Sequence, residues 1–528
     1  MIPASDSLPA RSAFFPSGTA VSWLWSIAAA ILVFFAYTQH AQFPYYYHTD
    51  EPGKANQILS GERNFHHPLL LLRTAEVLLD DSGKTPDKQS AIESGRRASA
   101  LFAAGAVLAL SLLAAHLAGL RAAVLAALLL ALHPVFFELA HYCKEDCAYV
   151  FGLGWFFLAL AWFCHHPTYP RIFLLGACLG LAISGKYIGI VLLAAALPAL
   201  IVTAIQSERA RYVSIWCACL VFSAFAVFAI INWESLRDYQ NAQAGLDSEF
   251  VRMDAAVESK DRFRIRYLST IGVELSLPVL LAVGWLAWHW WRKSDGRPDR
   301  RLALGILMVF PTLYFFMMSV APRTKERYLL PVFLLFCVLA AVGWAIFYAR
   351  AHGSGRRWAW AVLGFAILWP VPRLVQSIRD FSSDPRQELL VFLRDKIEAD
   401  TTVACDGRVF LPLARESAVP GVVFPQKLLA APKRMVAERG SLDDLFARGV
   451  RYVAICEPDY SQIVRADPDK WKPEDKRRRL HDFYTTLMAK GERVWHAPPS
   501  RIAYIHPGLS LYRLPNSSDT EHTSPAHP

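Results

Sequence analysis

Between Tyr45 and Leu72 the chain reads YYYHTDEPGKANQILSGERNFHHPLLLL, an ionisable loop set between apolar stretches. Asp50 and Glu51 stand side by side, and His66, His67 and Pro68 follow where the sequence turns apolar again. A carboxylate within hydrogen-bond reach of an acceptor group can take its proton, best when partial burial raises its pKa. Asp50 is the first candidate for such a base. Its competing role is the cap of a helix starting at Glu51-Pro52, and the two roles are compatible. Glu51 could orient an acceptor or partner a cation. Asp146 could be a second acid near the acceptor or a ligand for a positive donor-site group. Equally, it could be a favourable charge at a helix N-terminus beside Lys144.

These residues need elements to position them. Of 528 residues, 54% are hydrophobic, more than one globular core can bury. Apolar runs fall at about 21–39, 98–118, 121–139, 147–164, 171–185, 188–206, 211–232, 272–291, 302–320, 327–349 and 357–377. Most approach or exceed the roughly 18 residues of a spanning candidate, so a polytopic α-helical membrane protein of about eleven helices is expected. The first run continues into Thr38-Gln39-His40-Ala41 with no A-x-A-like cleavage site and reads as a signal anchor.

Lys and Arg dominate the connections at Arg121, 165–171, 208–211, 292–301 and 350–357. The positive-inside rule places these in the cytoplasm together with the N-terminus. The connections at 41–97, 141–146, 184–187, 233–270 and 321–326 then face outward, as expected of a multi-pass plasma (inner) membrane protein. The unusual ionisable residues converge on that outer face. The net charge of +10 follows from the inside loops and the basic C-terminal end, and calls for no nucleic-acid partner.

Among nine cysteines, Cys164, Cys178, Cys217, Cys219 and Cys337 read as small buried hydrophobes. Cys143 and Cys147 are too few for a closed zinc site and read as helix-end packing. After Arg373 the character changes. Residues 381–514 mix helical and alternating patterns: helices near 385–399, 442–448 and 480–490, strands near 401–404, 451–455 and 509–514. That is an α/β domain of ordinary size on the outer side, following a membrane domain at 1–380 whose outer loop is 40–97. Cys405 and Cys456 lie in it, where a disulfide is permitted. Residues 515–528, rich in Ser, Thr, Pro and His, read as a disordered tail.

Five strings in this order resemble one known group: Asp50-Glu51, His66-His67-Pro68-Leu69, Pro134 with Asp146, Gly180-Leu181-Ala182-Ile183-Ser184-Gly185-Lys186-Tyr187, and Arg327-Tyr328-Leu329-Leu330-Pro331. They look like the GT-C glycosyltransferases, most closely glycosyltransferase family 39, which includes protein O-mannosyltransferases and lipid A aminoarabinose transferases. The resemblance covers most of residues 20–350. It implies transfer of a sugar from a polyprenyl-phosphate carrier to a lipid, glycan or protein acceptor on the outer face. It also implies acceptor activation by the first-loop Asp, and no divalent metal as a general catalytic requirement, although some GT-C enzymes use one. Some lipid A-modifying members carry a Lys in an H-x-P-P-L string. This chain has His66-His67-Pro68-Leu69 with a single proline, which weakens any carry-over of their substrate.

For such a reaction the leaving group is a phosphate monoester and needs positive charge rather than an acid. Lys186, Arg323, Lys325 and Arg327 are at the right depth, with Arg suited to bidentate contact and Lys to a point charge. Each could instead be an interfacial cation with its head in water, the preferred reading for Lys325. His67 could contact phosphate or acceptor, or serve as a structural hydrogen-bonder before Pro68. No ligand cluster demands a metal. Tyr45-Tyr46-Tyr47 fits a headgroup boundary with membrane lipids. The competing class is a transporter or flippase of a lipid-linked sugar, which usually shows internal repeats and midplane charges absent here. An O-antigen ligase or polymerase shares the substrate class but usually places its key residues in a large late loop.

Overall fold

A computed structural model describes residues 18–42, 48, 50–83, 85–254, 265–292, 298–320, 325–409, 426–430, 435–472, 475–500, 502 and 505–515. Tyr45-Tyr46-Tyr47, Arg323 and the tail from 516 lie outside these residues. The chain divides into two compact units, one of residues 1–41 and 50–374, the other of residues 42–49 and 375–528.

The first unit is helical. Its elements are α1 (Gly18–Tyr37), α2 (Glu51–Ser60), α3 (Leu70–Asp81), α4 (Lys88–Ala118), α5 (Leu120–Ala131), α6 (Pro134–Ala140), α7 (Asp146–His165), α8 (Tyr169–Gly185), α9 (Leu193–Gln206) and α10 (Val213–Ile231). They continue as α11 (Trp233–Arg237), α12 (Tyr239–Asp254), α13 (Ile265–Glu274), α14 (Leu277–Arg292), α15 (Pro298–Ser319), α16 (Leu330–Arg350) and α17 (Ser354–Leu368). Among the described residues eight helices are long and apolar enough to cross a membrane, or ten if each of two bent pairs counts as one span. The bent pairs are α5 with α6, at 66°, and α13 with α14, at 99°. The apolar α8 is shorter. This is a polytopic membrane fold, and each apolar run read from the sequence finds a helix or a bent pair.

The bends have local causes. Pro134 and Pro278 sit in the first turns of α6 and α14, where the missing N–H costs nothing but the preceding helix cannot continue through. The apolar stretch around Lys186 is interrupted because that residue is extended (φ −160°, ψ 134°) and a 3-10 turn, Tyr187–Leu192, precedes α9. The centre of the unit is α4, α7 and α16, whose apolar windows are mostly covered by neighbours.

The second unit follows α18 (Val371–Ser382), which runs across the boundary, and begins with α19 (Pro385–Lys396). Its strands are β1 (Thr402–Cys405), β2 (Lys427–Ala430), β3 (Val450–Cys456), β4 (Glu492–Pro499) and β5 (Pro507–Arg513), with α20 (Leu442–Ala447), α21 (Glu457–Val464) and α22 (Lys476–Lys490). The sheet order is β2-β1-β3-β5-β4, parallel from β2 to β3 and antiparallel beyond. Leu389 and Leu393 of α19 cover one face, against Val403, Ala454 and Leu511. Leu480, Tyr484 and Leu487 of α22 cover the other, against Val453 and Ile455. The edge strands β2 and β4 escape the sequence pattern; β2 has only four residues, and β4 is mostly exposed and ends in Pro498-Pro499, as edge strands often do. Cys405 and Cys456 are free and buried, so the permitted disulfide is not formed. Cys405 faces Ala454 across the sheet, two residues short of Cys456.

Candidate active site

The loop singled out in the sequence is held from beneath by one buried ion pair. Glu51, in the first turn of α2, accepts from Arg96 of α4 at both oxygens (Nε–Oε1 3.1 Å, Nη2–Oε2 2.9 Å). Its Oε1 also accepts the Cys143 N–H at 2.9 Å, and Arg96 Nη1 donates to the Ala41 carbonyl at 3.1 Å. Neither side chain has solvent exposure. Glu51 therefore partners a cation, as one of its two expected roles had it, and does not line the cavity above. Removing one partner of such a pair leaves an uncompensated buried charge and costs about 3–5 kcal/mol.

Above this pair lies a cavity of about 580 Å³, lined by Asp50, Lys54, His66, His67, Lys144, Glu145, Asp146, Tyr149, Lys186, Tyr187, Tyr314, Arg327 and Tyr328 among others. Its charge pattern follows from three consecutive residues at the entry of α7. Lys144 pairs with Asp50, Glu145 with Lys54 one helical turn further along α2, and Asp146 with Lys186 at 2.8 Å. Asp50 and Lys54 are i and i+4, so they share a face of α2 and meet neighbouring residues of the opposite turn. The Ser99 hydroxyl steadies that turn, donating to the Lys144 carbonyl at 3.3 Å and accepting its N–H at 3.4 Å.

Asp50 is the N-cap residue of α2 but its side chain makes no capping hydrogen bond; it points to Lys144 instead. Its side chain is 45% exposed, against 3% for Glu145 and 4% for Asp146. Among the described residues it is thus the cavity carboxylate open to an incoming group. Asp146 Oδ2 is buried and receives no hydrogen bond among the described residues. Lys186 Nζ lies 5.4 Å from the Tyr328 ring centroid, and the Arg327 guanidinium packs on the same ring at 5.5 Å. Lys186 and Arg327 thereby stand together on the wall formed by the end of α8 and the start of α16. Lys325 is exposed and is not part of the lining, while Arg323 lies outside the described residues.

Burial, reinforced at Lys144 and His67 by neighbouring cations, sets the protonation states. Burial, then the charge of Arg327, lowers the Lys144 ammonium to about 8, with Asp50 opposing. Burial also lowers Lys54. His67 is pushed well below its ordinary value by burial and by Lys54, Lys186 and Lys144, so it is neutral at pH 7; its Nε2 lies 4.0 Å from Glu145. His66 turns the other way and ties the loop to α12, its Nδ1 meeting the Ser248 hydroxyl at 2.8 Å and the Gly245 carbonyl at 3.2 Å.

Three contributors escaped the sequence reading. Lys54 and Glu145 look like solvated helix charges, and only the i, i+4 spacing from Asp50 and the Lys-Glu-Asp triplet at 144–146 hint at a matched set. Asn232, at the end of α10, is an uncharged residue in an apolar context. It accepts from the Leu69 N–H at 2.8 Å and donates to the Ser184 hydroxyl at 2.9 Å, pinning the start of α3 to the end of α8.

A family model described as dolichyl-phosphate-mannose-protein mannosyltransferase matches residues 89–233. A search of curated proteins finds no match. Among solved structures, ArnT from Cupriavidus metallidurans, bound to undecaprenyl phosphate, superposes with a TM-score of 0.50 at 14% identity, covering 95% of this chain and 99% of that one. The archaeal oligosaccharyltransferase AglB from Archaeoglobus fulgidus, in complex with an inhibitory peptide and a dolichol-phosphate, gives 0.46 at 13% identity over 85% of this chain and 71% of that one. The Pmt1-Pmt2 protein O-mannosyltransferase complex of S. cerevisiae, bound to the sugar donor, gives 0.34 at 15% identity over 44% and 35%. With a fold shared along nearly its whole length and a matched segment in its helical unit, the chain has the GT-C architecture and resembles the glycosyltransferases of that superfamily.

Proposed function

We propose that this protein transfers a sugar from a polyprenyl-phosphate carrier to an acceptor hydroxyl on the outer face of the membrane, with inversion at the anomeric carbon. The observation that carries the reading is the division of the cavity. An open carboxylate, Asp50, stands on one wall, and the Lys186–Arg327 pair stands on another. In the proposed reaction the acceptor oxygen attacks the anomeric carbon and its proton passes to Asp50. The bond from that carbon to the phosphate oxygen breaks, and its electron pair leaves on the phosphate. Lys186 and Arg327 stabilise the charge that develops there, one as a point charge and one as a planar donor. Asp146 holds Lys186 in place. His67, kept neutral, can donate or accept a hydrogen bond to either substrate without adding charge. Arg323 belongs to the same connection as Arg327 and is proposed as a further phosphate contact. Glu51 acts through position, fixing the start of α2 on Arg96. The second unit, residues 381–514, is proposed to lie on the outer side.

The test is turnover by the purified protein in liposomes with labelled polyprenyl-phosphate sugars and a panel of lipid, glycan and protein acceptors. Asp50→Asn is expected to lower kcat by about 10²–10⁴-fold with little change in donor affinity. Undiminished turnover would remove Asp50 as the base. Movement of labelled carrier across the bilayer with no new glycosidic bond would replace the whole reading with transport.

A further inference from the structure

At the end of the bundle away from the cavity, two helices bring arginines to one aromatic cluster on a third. Cavity residues lie at the start of α16, whereas Tyr348 lies near its end, roughly 30 Å away at the rise of an α-helix. The Arg121 guanidinium, from the first turn of α5, packs on the Tyr348 ring at 5.2 Å, and Arg356, from α17, packs on the same ring at 5.6 Å. Tyr348 in turn stacks on Trp344 (5.1 Å, 20°) and meets Trp360 edge-on at 5.6 Å. Trp344 Nε1 donates to the Ala359 carbonyl at 2.9 Å, locking α16 to α17. Arg356 Nε donates to the Ala351 carbonyl at 2.9 Å, which fixes its guanidinium. Arg350 reaches His289 of α14, whose ring lies flat on Trp285 at 5.1 Å.

Two guanidiniums packed on one ring call for an anion, and the stretches of sequence that carry them supply none. No Asp or Glu occurs between Glu93 and Glu138, nor between Glu326 and Asp380. Among the described residues Arg121, Arg350 and Arg356 make no ion pair with a carboxylate, although the second unit and the cavity are rich in such pairs. The surroundings say where the anion comes from. Exposed indoles ring this end, with Trp358 at 70% and Trp291 at 79%, as at the boundary between acyl chains and headgroups. Basic clusters between spanning helices at that depth suit lipid phosphates.

We propose that Arg121 and Arg356, gathered around Tyr348, bind the phosphate headgroup of an anionic phospholipid at the membrane face opposite the cavity. The aromatic residues form the floor and the guanidiniums the rim, so the site selects charge at the headgroup and tolerates any acyl chain. Occupancy also offsets the repulsion between Arg121 and Arg356 and so braces α5 and α17 against α16.

The experiment is native mass spectrometry of the full chain released from bilayers of mixed phosphatidylglycerol and phosphatidylcholine. Wild type is expected to retain phosphatidylglycerol in preference to phosphatidylcholine. R121Q/R356Q should lose that preference by roughly tenfold or more, on the scale of surface cations and anionic lipid. R121K/R356K, which keeps the charge, should recover most of it, and R121Q alone should lose part, which covers the case of a double variant that fails to fold. An equal loss in R237Q, at the other end of the bundle, would overturn the proposal in favour of net charge alone. So would a wild type that retains both lipids alike, or one whose bound lipid is displaced by millimolar inorganic phosphate.

Discussion

Lys144 is where the site's electrostatics concentrate. It is buried, it touches the open carboxylate Asp50, and Arg327 is a second cation nearby. Its ammonium is lowered to about 8, against 10.5 for an ordinary lysine, with burial the largest cause. Below that pH the charged Lys144 orients Asp50. Above it Lys144 is neutral, and Asp50 faces the cavity without its cationic partner. Activity should therefore fall on the alkaline side with an apparent midpoint near 8. Lys144→Arg keeps the charge to a much higher pH, so its alkaline limb should move up by at least about one pH unit even if its maximal rate drops. An alkaline limb unmoved in that variant would show that some other group titrates there. The acidic pair, Lys186 and Arg327 were readable from the sequence because a charge beside an apolar run is costly and so rarely incidental. Lys54 and Glu145 were not, since their value lies in each other: a lone lysine or glutamate on a short helix carries no mark of its distant partner.

The Asp146–Lys186 pair forms where α7 and α8 lie almost in contact. A Cβ on Gly185 would stand 2.5 Å from the Ala148 backbone carbon, and one on Gly152 would stand 2.4 Å from the Ala182 Cα. Small residues thus face each other along the seam, the usual means by which helices approach closely in a bilayer. Asp146 opens α7 and Lys186 follows α8, so this seam sets the Asp146–Lys186 distance of 2.8 Å. Gly185→Ala must push backbone against backbone, with a cost of about 1–3 kcal/mol for overpacking. The expected result is a lower thermal midpoint together with weaker donor binding, because Lys186 moves with its helix. A variant with wild-type stability and donor KM would mean that the seam yields without disturbing the site. Hydropathy found the elements themselves and could not find this register. Nor could it show the 66° and 99° bends, since a run of apolar residues has the same composition whether straight or folded back. The prolines at 134 and 278 were the available signal.

Across the helical unit, charge is sorted by face. The cavity end carries matched acids and bases, while the far end carries Arg121, Arg350, Arg356 and Arg357 in long stretches with no acid at all. Such an asymmetry orients a membrane protein, because carrying one arginine through the bilayer centre costs about 2.5–3.5 kcal/mol and several must stay on the same side. On this ground the arginine end is proposed to be cytoplasmic and the cavity to face outward. That is the side where a spent polyprenyl phosphate would be left after transfer. On the same argument the second unit is proposed to lie outside, which requires an odd number of crossings between the arginines at the start of α17 and residue 381. Single cysteines at exposed Glu62, His352 and Arg465 test this in a background lacking the native thiols, using a membrane-impermeant thiol reagent on intact cells. Glu62→Cys and Arg465→Cys should label at once, once the reagent can reach the outer surface of that membrane, and His352→Cys only after the membrane is permeabilised. Labelling of His352→Cys in sealed cells would invert the whole arrangement and place the cavity beside cytoplasmic substrates. Labelling of Glu62→Cys without Arg465→Cys would keep the cavity outside and instead require an even number of crossings after α16.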